Sequence, residues 1–249
     1  MVKQLGLSRL KAARPNLRQT MQERVREHLR GRIVSGEFKC GEQLGETRLT
    51  AELDVGPIPL REALGRLEAD GLVEYRSYCG FRVREITAQD IKEIYELRLG
   101  LECLAIDLLA GREMEPLLGE LRDCLAVIDA SPIEMSDTAR NEQEHHFHGA
   151  IVSTTGNRLL LKIFELNGLH CMFTRNVAPN PPMPPMVTET EATAVYPAHR
   201  EIYEALAAKD FIRARALDAE HIRTGMLRVL ARWTAAGVTT PGDTARTGE

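Results

Sequence analysis

Apolar residues recur at helical spacing along most of the chain, and the interruptions mark its organisation. Met21, Val25, Leu29 and Ile33 share one face of a helix that Thr20 can cap and Gly36 ends. The same spacing predicts a short helix over 47–53, a turn, and a longer helix over 57–70 closed by Gly71. The runs "LVEY" and "FRV" flank "RSYCG", which reads as a two-stranded hairpin. Three helices followed by a small hairpin predict a winged helix-turn-helix over residues 20–86.

Beyond residue 86 the pattern is helical. Thr87 offers a cap, and Ile91, Ile94, Tyr95, Leu97, Leu101, Leu104 and Leu108 form a broad apolar stripe. Further helices are expected over 115–130, 138–153, 157–178, 197–208 and 211–236. The proline-rich stretch "APNPPMPPMVTETEATAVY", 178–196, cannot be one helix, so the preceding helix ends there and the next starts at Pro197. The fold class is mainly α: a winged helix-turn-helix and then an all-α bundle over 87–236 that would bind an effector and a metal. Residues 1–19 read as a flexible basic arm and 237–249 as a disordered tail.

Composition narrows the function classes. The chain is 43% hydrophobic and 27% charged, as expected of a soluble globular protein. No stretch approaches the about 20 apolar residues of a membrane span, so no membrane partner is expected. Five scattered cysteines suggest reduced thiols and a cytoplasmic protein. The net charge of −4 is unevenly divided. Residues 1–86 hold 16 basic and 12 acidic side chains, and the remainder 16 and 24. A positive first part points to a polyanionic partner.

Two constellations carry chemistry. Glu144 and His148 lie four apart on one predicted helix face, and His199 and His221 lie on the two last helices. If these helices face one interior point, a carboxylate and three imidazoles suit a divalent transition metal such as zinc, nickel or manganese. Spacing alone equally allows structural histidines. His145 and His146 read as outer-layer or surface residues. The second constellation is the start of the helix after "LDV", where Gly56, Pro57, Ile58 and Pro59 stand. Proline costs a helix nothing in its first turn, so the helix survives.

The segment "RIVSGEFKCGEQLGETRLTAELDVGPIPLREALGRLEADGLVEYR" resembles the winged helix of GntR-type transcriptional regulators. The pieces "YELRLGLECLAI", "HFHGAIVSTTGN" and "HREIYEALAAKDFIRARALDAEH" resemble the FCD-type ligand domain of the FadR branch. The resemblance implies a homodimer, a near-palindromic double-stranded DNA operator, and repression relieved by a small organic acid. It implies DNA-facing roles for Thr47, Arg48, Thr50, Pro57, Ile58, Arg61 and Gly80, with Arg9, Lys11, Arg14, Arg18 and wing arginines on phosphates. Pro57 and Ile58 replace the family's usual arginine and threonine, so base preference is altered or DNA reading is lost. The resemblance also implies metal ligation by His148, His199 and His221, with Glu144 in place of the usual aspartate. Arg98, Asn157 and Arg175 would meet the effector, although Arg98 could instead be a surface partner of Glu102, and Asn157 reads first as a helix cap. A metal-dependent enzyme acting on a small organic acid is the competing class. No nucleophile or general base with a supporting partner was found for it.

Overall fold

The computed structural model describes residues 20–130, 137–177 and 189–236. The expected basic arm, the expected tail and the core of the proline-rich stretch lie outside them. The chain divides into two compact units, Met1–Glu85 and Ile86–Glu249.

In the first unit, helices α1 (Met21–Val34), α2 (Glu46–Leu53) and α3 (Pro57–Ala69) precede strands β1 (Val73–Arg76) and β2 (Gly80–Val83). Thr20 and Glu23 form a reciprocal capping box that starts α1. Asp54, with φ 54°, ends α2 in the left-handed region and sets the turn into α3. The strands pair antiparallel, Val73 opposite Val83 and Tyr75 opposite Phe81. Val25, Leu29, Ile33, Leu49, Leu60, Leu64 and Leu67 bury the inner faces of the three helices.

The second unit is helical throughout its described residues: α4 (Ala88–Leu108), α5 (Glu115–Ala130), α6 (Asp137–Thr154), α7 (Arg158–Asn176), α8 (Glu189–Ala207) and α9 (Phe211–Ala235). Thr87 and Asp90 box the start of α4, Asn157 caps α7 through Leu160 N–H, and Asp210 caps α9 through Arg213 N–H. Helix α4 packs against α6, α7 and α9. Trp233 of α9 is buried and donates its indole N–H to the Thr174 carbonyl of α7 at 2.9 Å. One expectation is corrected. Helix α8 starts at Glu189, eight residues before Pro197, which lies inside it. Proline is a favourable starter, but a helix can also run through it when the preceding residues favour helix. "ETEATAVY" supplies Glu and Ala, enough to extend the helix despite the missing N–H.

Every buried polar or charged residue among those described lies in this second unit: Arg98, Glu102, Asn141, His148, Thr155, Asn167, Thr174, Arg175, His199, Asp218 and His221. Such residues are costly to bury without partners, and they cluster.

Candidate metal centre and nucleic-acid interface

His148 of α6, His199 of α8 and His221 of α9 converge from three helices. One ring nitrogen of each lies within 4.8 Å of the others, and all three residues are buried. The His199 and His221 rings stand 4.3 Å apart, and the His148 and His221 rings 5.1 Å apart and nearly parallel. Two carboxylates that the sequence reading missed complete the group. His148 Nδ1 lies 2.6 Å from Glu102 Oε2 and 3.2 Å from Asp218 Oδ1. Their signals were local: Asp218 precedes His221 by three residues on α9, and Glu102 follows Arg98 by four on α4.

These approaches are short but poorly aligned. Both nitrogens of His148, Glu102 Oε2 and both oxygens of Asp218 are buried without a well-formed hydrogen bond. Buried groups of this kind are nearly always satisfied. Imidazole and carboxylate lone pairs turned on one another are a donor set that a divalent cation would satisfy, so the residues fit a metal.

Glu144 stands beside this group and is shared. Its Oε1 accepts from Arg175 Nη2 at 2.6 Å and from Arg98 Nη1 at 3.1 Å, and lies 3.8 Å from His221 Nε2. Arg98 also donates to Glu102 at 2.6 Å. Its pairing with Glu102 is therefore interior, since Arg98 is only 5% exposed. Arg175 further donates to the Tyr95 hydroxyl at 2.9 Å. Arg98 and Arg175 line a cleft with Asn141, His145, Asn167 and Cys171. His145 stacks on Phe164. A Cβ on Gly168 would stand 2.2 Å from the His145 ring, so only glycine leaves room for it. His146 is exposed beside Glu120. Asn157 is exposed and committed to capping α7, away from the residues that line the cleft.

The charges hold each other in place. Burial opposes ionisation of Glu102, yet Arg98 and His148 hold its pKa down at about 2. Glu144 is likewise buried, and Arg175, the His221 hydrogen bond and Arg98 keep it well below the usual carboxylate range. Burial would lower His148, but Glu102, helped by hydrogen bonding from Asp218, raises it to about 9. Burial and the Glu102 charge raise Asp218. Burial lowers His221, and lowers His145 to about 4.

In the first unit, α3 starts at Pro57 with Gly56 as cap and no side-chain capping bond. Four N–H groups at a helix start lack intrahelical acceptors. Here Pro57 and Pro59 carry none, so the first turn offers half the usual backbone donors. Pro57 and Ile58 are exposed, Ile58 to 71%. Arg61 is 65% exposed and pairs with Glu46 at 2.7 Å, and Arg48 is 55% exposed and lies 3.4 Å from Glu42. Exposed pairs of this kind are weak, so either arginine can be drawn to a phosphate. Thr47 is exposed, and the Thr50 hydroxyl bonds the Thr47 carbonyl. Gly80 opens β2 with φ 78°. Tyr78, at the hairpin tip with φ 64°, is fully exposed, a feature the sequence reading passed over.

Comparison with known proteins bears on both units. The FCD domain model matches residues 93–224, more than half the chain, and the model for bacterial regulatory proteins of the gntR family matches residues 21–83. The chain belongs to the GntR family and carries an FCD domain. This GntR-family chain is 35% identical over 138 residues to the uncharacterized HTH-type transcriptional regulator YdhC of Bacillus subtilis (strain 168), covering 55% of this chain and 62% of that protein. It is 32% identical over 147 residues to the HTH-type transcriptional repressor GlaR of Escherichia coli (strain K12), covering 55% and 64%. Both matches span less than two thirds of the relative's length. A Rhodococcus sp. RHA1 protein assigned as a GntR transcriptional regulator superposes with a TM-score of 0.70 at 25% identity, covering 84% of this chain and 97% of that one. These relatives are named as regulators, not as enzymes.

The ionisation pattern has a sign that can be checked without metal. A pKa raised to about 9 in the folded state means that His148 stabilises the fold below about pH 6.5, and that this is lost as pH rises towards 9. With chelator present, urea unfolding should show stability falling by on the order of 2 kcal/mol between pH 6.5 and 9. The His148→Gln protein should lose most of that slope. A wild-type profile flat over the interval would refute the assignment.

Proposed function

We propose that the chain is a DNA-binding transcriptional repressor whose hold on its operator responds to a small organic acid taken up beside a metal in the FCD domain. The observation that carries the sensing half is the juxtaposition of three buried imidazoles with unsatisfied lone pairs and a pair of guanidinium groups. His148, His199 and His221 would hold zinc, nickel or manganese, with Glu144 or Asp218 adding a carboxylate. A bound ion would supply an open position for an anion's oxygen. The chain's own part is to hold a carboxylate between Arg98 and Arg175 by charge-assisted hydrogen bonds in a water-poor cleft.

Glu144 already occupies that place. An incoming carboxylate must compete with it, and Glu144, 3.8 Å from His221 Nε2, has the imidazole group as its other neighbour. The winged helix supports the DNA half of the reading. Arg61, Arg48 and the wing are available to phosphates, and Tyr78 extends the wing tip. Pro57 and Ile58 replace a guanine-reading fork with apolar contacts suited to a thymine methyl group, so base preference shifts rather than vanishes. A homodimer would bring two heads to two half-sites of a near-palindrome. No helix among the described residues is long and apolar enough to cross a membrane.

Three measurements test this reading. The protein should retard DNA from upstream of its own gene in a salt-sensitive, sequence-selective way, and Arg61→Ala should weaken that binding by about 1–3 kcal/mol. Absence of selective retardation removes the DNA half. Elemental analysis of purified protein should find one equivalent of a divalent metal, absent from the His148→Ala, His199→Ala double variant; metal retained by the variant would place it elsewhere. Calorimetry with citrate as probe should show Glu144→Gln binding about tenfold more tightly than wild type, because the internal competitor has lost its charge. Equal or weaker binding by that variant would show that Glu144 is no competitor.

A further inference from the structure

The two helices that carry the arginine cleft present a second, opposite face. Helix α4 turns Leu97, Leu104 and Leu108 outward, at steps of seven and four residues. Helix α7 does the same with Leu159, Ile163 and Leu166, at steps of four and three. These spacings place each trio on one side of its helix. The six side chains are 37% to 67% exposed. Single exposed leucines need no explanation. Two apolar stripes on helices that pack together do, because contiguous patches of that kind mark contact sites. Gly100 lies between Leu97 and Leu104, and the space its Cβ would fill is open, so another helix can come close to the backbone there.

The charges at the edges say what the face fits. Glu93 and Glu96 flank the stripe of α4 and are exposed, whereas Arg158 and Lys162 flank the stripe of α7 and are exposed. Pairing α4 with a second α4 would set acid against acid. Pairing α4 with α7 sets acid against base, and a two-fold axis makes that contact twice. The helices are 21 and 19 residues long. Together they offer a face roughly 30 Å long and two helix widths across, on the order of 600 Å². That approaches the about 800 Å² per partner of a standard interface.

We propose that this face is where two copies of the chain meet, α4 of one protomer lying on α7 of its partner. The inference builds on the homodimer in the reading above and is independent of metal, effector and operator. It has a functional consequence. Arg98 and Glu102 project from the inner side of α4, and Asn167 and Arg175 from the inner side of α7. The anion cleft and the dimer contact are thus the two sides of one helix pair, so a shift of either helix on filling the cleft reaches the partner directly.

Sedimentation of the full chain tests it. Wild type should sediment as a dimer at micromolar concentration. Leu104→Glu with Ile163→Glu should weaken dimerisation at least about tenfold, or about 1.4 kcal/mol, with the helical circular dichroism unchanged because both positions are exposed. Two charge variants supply an independent check. Arg158→Glu with Lys162→Glu, and Glu93→Lys with Glu96→Lys, should each dimerise poorly alone and form a mixed dimer when combined. A leucine variant that dimerises as tightly as wild type overturns the proposal while leaving a homodimer in place. So does a mixture of charge variants that stays monomeric. A wild-type chain that is itself monomeric overturns both this face and the homodimer, and assigns the stripe to a different partner.

Discussion

The second unit is organised around a knot of buried charge. Arg98, Glu102, Glu144, Arg175, His148 and Asp218 come from four helices, and none has enough solvent to be stable alone. Isolated ions of this kind would cost several kcal/mol each to bury. They tolerate burial because each carboxylate meets a cation: Glu102 meets Arg98 and His148, and Glu144 meets Arg98 and Arg175. Removing one member strands another. The helices must therefore hold a fixed register, which the surrounding Leu, Ile, Phe and Trp side chains supply and the capped starts of α4, α7 and α9 anchor.

This arrangement explains why the histidines and the arginines belong to one site. His148 faces Glu102, Glu102 faces Arg98, Arg98 faces Glu144, and Glu144 reaches towards His221. A change at the imidazoles is passed to the guanidinium pair through two contacts between charged groups. A site so wired binds anion and cation interdependently, as any two ligands sharing one network must. The same network leaves little room for chemistry: its acids and bases are tied to one another rather than held near a reacting position.

Much of this was legible in the sequence. Periodicity located the helices and hairpin because each has one apolar face and a distinct cap or glycine stop. His148, His199 and His221 could be nominated because their helices are consecutive elements of one bundle. Asp218 and Glu102 were not legible. A carboxylate on a helix is ordinarily solvated, and only the packing of α4 against α6 and α9 turns these two inward. Glu144 was read as a metal neighbour; the structure surrounds it with arginines as well, a sharing that spacing cannot express. Asn157 shows the opposite case, for its local role as a cap was plain from the residues and accounts for its contacts. The start of α8 was misplaced because proline signals a beginning more often than an interior, and the residues before it lean to helix strongly enough to override that signal.

The paired prolines at the start of α3 have a consequence beyond the hydrogen bonds they lack. Each ring fixes its own φ near −65°, so two of the first three residues of the helix are already held in helical shape in the free protein. That turn cannot fray, and it has little conformational entropy left to lose on meeting a partner. Where other helices of this kind trade floppiness for donors, this one meets its partner with a preformed, largely apolar edge. Selectivity then depends on how well a fixed shape fits, rather than on how far a side chain can adapt.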